Sequence, residues 1–66
     1  MWVAESKEKN LRLVIEHDEY VGYYLYVFEY QSDKADQDYL YDNLEQAYNA
    51  VQKRFGISKE EFKEVK

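Results

Sequence analysis

From Tyr20 to Tyr30 the chain reads Tyr-Val-Gly-Tyr-Tyr-Leu-Tyr-Val-Phe-Glu-Tyr, an aromatic and β-branched run that favours an extended strand. Successive side chains of a strand point to opposite faces. Tyr20, Tyr24, Tyr26, Phe28 and Tyr30 would therefore share one face, and Val21, Tyr23, Leu25, Val27 and Glu29 the other. Both faces are apolar or aromatic. A single small domain must cover two sides of this strand, or leave one of them available.

The whole chain has 66 residues and no cysteine, so one domain near the lower size limit must stand on its apolar core, without disulfide or thiolate–metal staples. Aromatic residues make up 18% of it, and each buried ring withdraws roughly 150–250 Å² from water. Fourteen acidic residues oppose nine basic ones, a net charge of −5. The bases are scattered from Lys7 to Lys66, so a phosphate backbone meets repulsion and direct nucleic-acid binding is disfavoured. No apolar run reaches the roughly 20 residues that span a bilayer. The opening Met-Trp-Val-Ala-Glu-Ser-Lys-Glu has neither a basic leader nor an apolar h-region. The expectation is a soluble, cytoplasmic protein with no membrane partner.

Residues 1–10 read as an N-terminal tail or a short extra strand around Trp2 and Val3, and residues 11–66 as a single α+β domain. Leu11, Leu13 and Ile15 alternate with Arg12, Val14 and Glu16, giving a first strand with one apolar and one mixed face. His17-Asp18-Glu19 suits a hairpin connection, and Tyr20 or Val21 to Tyr30 forms the long central strand. Gly22 marks a bulge or a close backbone approach. Gln31 to Asp36 is the next turn and Gln37 to Tyr41 a third strand. Leu44, Ala47, Tyr48, Val51 and Phe55 then fall on one helical stripe. Asn43 caps that helix with Gln46 reaching back, and Gly56 ends it in a Schellman turn with Ile57 against Val51. Ser58-Lys59-Glu60-Glu61 is a capping box that predicts a second, short helix from Lys59 to about Val65. The expected architecture is a three-stranded antiparallel β-meander packed by one long helix and followed by a short C-terminal helix, β-β-β-α-α.

The stretches Gly22-Tyr23-Tyr24-Leu25-Tyr26, Asn43-Leu44-Glu45-Gln46-Ala47 and Phe55-Gly56-Ile57-Ser58-Lys59-Glu60-Glu61-Phe62 together resemble a loose group of short, uncharacterised bacterial proteins. Those have a tyrosine-rich hairpin, a Leu-Glu-Glu-Ala helix and a closing Phe/Tyr-Gly-Ile/Val turn. The group often carries a tryptophan on its last strand, where this chain has Leu40 or Tyr41. The resemblance implies a bacterial or phage origin and a ββ(β)α fold, and it implies no activity.

No catalytic, cofactor or metal signature is present, and a non-enzymatic role is expected. His17 is the single histidine, beside Asp18 and Glu19, and reads as an exposed turn residue; nucleophilic catalysis would need a nucleophile and a positioned base together. If Val21, Tyr23, Leu25 and Val27 face the helix, then Tyr24, Tyr26, Phe28 and Tyr30 make a row on the open face. Tyrosine offers large contact area at small entropic cost, which points to a protein partner or a homodimer. Two bland placements stand beside that reading. The row can be covered from within by Trp2 and Val3 or by Phe62 and Val65, or the aromatics can themselves be the core. The alternative function is an acidic decoy or inhibitor of phage or mobile-element type. It would bind a basic protein surface through Asp33, Asp36, Asp38 and Asp42, residues that otherwise read as a solvated edge discouraging aggregation.

Overall fold

The computed structural model describes residues 1–65; Lys66, the last of the nine bases, lies outside the described residues. Five strands form one antiparallel sheet: β1 (Trp2–Ser6), β2 (Leu11–Asp18), β3 (Gly22–Glu29), β4 (Ala35–Tyr41) and β5 (Lys63–Glu64). Their spatial order is β4-β3-β2-β1-β5. One helix, α1 (Leu44–Phe55), packs on one face, and a single 3₁₀ turn (Lys59–Glu61) precedes β5. Among the described residues no helix is long and apolar enough to cross a membrane.

Two expectations are overturned. The sheet has five strands, because Trp2–Ser6 pairs with β2 along its length, from Trp2 opposite Ile15 to Ser6 opposite Leu11. The second helix is absent. Glu61 does reach back to the Ser58 N–H at 2.9 Å, but the chain turns extended at Phe62 (φ −81°, ψ 138°). Lys63 and Glu64 then pair with Val3 and Trp2, and the Val65 N–H donates to the Met1 carbonyl at 2.7 Å. A helix of seven residues repays its nucleation cost poorly. A strand edge already in place offers backbone partners at once, and Phe62 packs its ring 5.3 Å from that of Tyr48.

The core lies between the helix and one sheet face. Ala4, Leu13, Ile15, Leu25, Val27, Ala47, Val51 and Ile57 are its buried members. They follow from period-2 alternation in the strands and period-3.6 spacing in α1. The Asn43 side chain accepts from the Gln46 N–H at 2.9 Å, while Gln46 accepts from Asp42 N–H, one residue further back than expected. At the other end Gly56 sits at φ 69°, ψ 24° and donates to the Gln52 carbonyl, which is an αL ending in place of the expected Schellman pair. Lys9, in the β1–β2 turn, places Nζ 2.7 Å from the Phe55 carbonyl. A cation at the negative end of the helix dipole thus ties the first hairpin to α1.

The central strand is shorter at both ends than its aromatic run. Tyr20 belongs to the hairpin tip and is 90% exposed, because Asp18 Oδ1 accepts from the N–H groups of both Tyr20 and Val21 and closes a turn there. Tyr30 lies beyond β3. Gly22 (φ 132°) is a close approach: a Cβ there would collide with the Tyr41 carbonyl oxygen. The irregularity in the ladder falls elsewhere, at Val27/Phe28, where β4 carries the extra residue Asp36.

Candidate interaction face

Strand partners in register share a face of the sheet, so the pairings fix what each face presents. Leu25 and Val27 point toward α1 and are buried. Tyr23, on the same side, packs against the core with its ring 5.9 Å from that of Trp2 and 4.5 Å from that of His17. His17 is exposed and lies within β2, one position before the strand's last residue, and not in the turn as expected.

Tyr24, Tyr26 and Phe28 alternate with those residues and stand on the other face, outside the core cluster. Three rows cross it. Glu5, Arg12, Phe28 and Ala35 make the first, Lys63, Val3, Val14, Tyr26 and Asp38 the second, and Glu16, Tyr24 and Leu40 the third. The Tyr24 and Tyr26 rings stack at 6.0 Å and 18°. Leu40 is 50% exposed, whereas Val14 is only 9% exposed because it stands between Val3 and Tyr26 in its row. The Arg12 guanidinium sits 4.3 Å above the Phe28 ring, and its Nη2 donates to the Ser32 carbonyl at 2.8 Å. Its Nε is buried without an acceptor among the described residues.

None of the internal covers weighed for this face reaches it. Trp2 and Phe62 pack on the helix side, Val3 lies beside the aromatics in the sheet plane, and Val65 is largely exposed. The face therefore has an aromatic and aliphatic centre flanked by Glu16, Asp38, Arg12 and Lys63. Burial among its neighbours raises the Tyr26 phenol above its ordinary range, with Glu16, Tyr24, Asp38 and Asp18 adding to the shift. The phenol is neutral and hydrogen-bond-competent across the physiological range. Tyr30 is half-buried in the β3–β4 turn, its N–H donating to Asn10 Oδ1.

The acidic candidates do not converge. Asp33 lies in the β3–β4 turn, Asp36 and Asp38 on the edge strand β4, and Asp42 at its junction with α1; all four are exposed. At about 3.3 Å per residue Asp36, Asp38 and Asp42 are strung along roughly 20 Å of edge with Asp33 in the turn beyond, and only Asp38 stands in a row with the aromatics. Among the described residues no group of three or more His, Asp or Glu is placed to hold a metal ion. Sequence reasoning missed Val3, Leu40 and Lys63 as members of the open face. Arg12, Val14 and Glu16 were legible as the mixed side of the first strand. Compared with known protein families, curated proteins and solved structures, the chain finds no match.

Proposed function

We propose that this chain is a non-enzymatic, cytoplasmic interaction module that docks a protein surface on its open sheet face, with Tyr24, Tyr26 and Phe28 as anchors and Tyr30 at the margin. One observation carries the reading: helix α1 covers one side of a five-stranded sheet, and no described element lies over the aromatic side. Interfaces concentrate aromatic and arginine side chains at a centre and keep charged groups at a rim, and this face is arranged in that way. Its shape is flat and its chemistry apolar, which suits protein contact better than catalysis on a small molecule.

The test is Tyr26→Lys. The variant keeps the circular dichroism and cooperative unfolding of the parent, since Tyr26 is no part of the core, but loses the complex. Should it unfold, the rings are structural and the reading fails.

A further inference from the structure

We propose that the occupant of this face is a second copy of the chain, the two sheets packing face to face about a two-fold axis that runs across the strands through the row Val3, Val14 and Tyr26. The inference rests on the reading of that face as an interface.

The three rows decide the axis. A face-to-face pair has two simple in-plane choices. An axis running along β2 would set Arg12 against Arg12 of the second copy and Glu16 against Glu16 of the second copy, two like-charge contacts on the middle strand. The axis across the strands exchanges the first row with the third. Arg12 then meets Glu16 of the second copy, and Phe28 meets Tyr24 of the second copy. Val14 and Tyr26 meet their own counterparts in the apolar middle. Only Asp38 and Lys63, at the two exposed ends of the central row, face like charges, and there water and salt screen them.

The distances allow it. Arg12 and Glu16 are separated by about 13 Å along β2, so each lies between 6 and 7 Å from the axis row. Aligned sheets cross at about 30°, which displaces opposing residues by about 3.5 Å at that radius, within the reach of an arginine. The Arg12 guanidinium is held over Phe28 and tied by Nη2 to the Ser32 carbonyl, which fixes the position of the positive charge that Glu16 of the second copy meets. Five strands about 4.8 Å apart and three rows about 6.8 Å apart give a patch near 400 Å² in projection. Over both copies that is about 800 Å², below the roughly 1,200 Å² of stable specific interfaces, so a weak, concentration-dependent dimer is expected, dissociating at about 100 μM or above.

Each copy carries a net charge of −5, so added salt relieves repulsion and tightens the pair. A basic partner held by the carboxylates would show the opposite dependence.

Sedimentation equilibrium from about 1 μM to 1 mM tests the proposal on the wild type, Glu16→Arg, Arg12→Glu, their double swap and Tyr26→Lys, with circular dichroism on each. The wild type should rise from 8.1 kDa toward twice that mass. Glu16→Arg should dimerise at least tenfold more weakly, and the double swap should return to within about threefold of the parent. Arg12 also holds the Ser32 carbonyl, so isotope-filtered contacts between the Phe28 ring and the Tyr24 ring of the other copy give the axis without any variant. Those contacts support the proposal, and a dimer lacking them overturns it. A wild type that stays at 8.1 kDa overturns the second copy alone, provided Tyr26→Lys is folded. A Tyr26→Lys variant that unfolds, or that still dimerises, removes the interface reading as well.

Discussion

Replacing Gly22 with alanine should be among the most damaging single-methyl changes in this protein. The residue opens β3 at φ 132°, a conformation that L-residues occupy only under strain costing about 1–3 kcal/mol. The added Cβ would also meet the Tyr41 carbonyl oxygen, which belongs to the backbone of β4 just before the Asn43 cap. Backbone cannot swing aside as a side chain can, so β3 and β4 must separate or the junction with α1 must shift. Against this, alanine restrains the unfolded chain and returns about 0.4–1 kcal/mol. The net expectation is a loss of about 2–4 kcal/mol, a large share of the roughly 3–10 kcal/mol available to a chain of this length.

Gly56→Ala is the internal control. Gly56 is also left-handed (φ 69°), but its Cβ would meet only Lys9 Nζ, 2.8 Å away at the end of a flexible side chain. Its loss should stay near the 1–2 kcal/mol of a left-handed L-residue. Urea unfolding followed by circular dichroism separates the two. With a slope of about 1 kcal/mol per molar, Gly22→Ala moves the midpoint down by about 2–4 M. A Gly22→Ala variant no less stable than Gly56→Ala would refute the close-approach argument.

Two further outcomes follow from the same geometry. Lys9→Met should cost about 0.5–1 kcal/mol, because it removes the charged donor from the Phe55 carbonyl while keeping the aliphatic stem; urea midpoints at low and high salt check it, and the difference from wild type should shrink as salt rises. In alkaline solution, Tyr26 and Tyr48 should ionise above the ordinary tyrosine value near 10, raised chiefly by burial in both cases, with Glu16 the next contributor at Tyr26 and Glu64 at Tyr48. The unfolded chain releases these protons first, so the stability they contribute is complete below about pH 10 and falls as pH climbs through the raised values. Ultraviolet titration beside pH-dependent melting measures both, and Asp38→Asn should lower the Tyr26 value.

Local patterning made the middle of the fold readable. Alternation placed β2, β3 and β4 in order, and the Asn43 cap with the Gly56 stop bracketed α1 within a residue, because each signal lies inside the segment it governs. The two strands outside the expected three-stranded meander, one of them offered only as an alternative to a tail, depend on distant partners. Trp2 to Ser6 carries too short and mixed a pattern to declare itself, and becomes a strand by pairing with β2. Lys63 and Glu64 follow a capping signal that favours a helix, and the free edge of β1 outweighs it. The Lys9 link to Phe55 spans 46 positions and has no local trace. On the candidate face, alternation placed Tyr24, Tyr26 and Phe28 on one side. That the side opposite Leu25 and Val27 stays uncovered depends on where α1 docks, which no single segment specifies. Tyr20 was misplaced because Asp18 closes the turn two residues later than aromatic content suggests, leaving that ring at the tip.

Nuclear magnetic resonance with a soluble paramagnetic probe examines both sides of the sheet at once. In a dilute sample, the ring protons of Tyr24, Tyr26 and Phe28 should broaden strongly while the methyls of Leu25 and Val27 do not, and concentrating the sample should restore the ring signals. Equal protection of both sets at dilution would mean that the rings are interior, and the one-sided sheet on which the functional proposal stands would be contradicted.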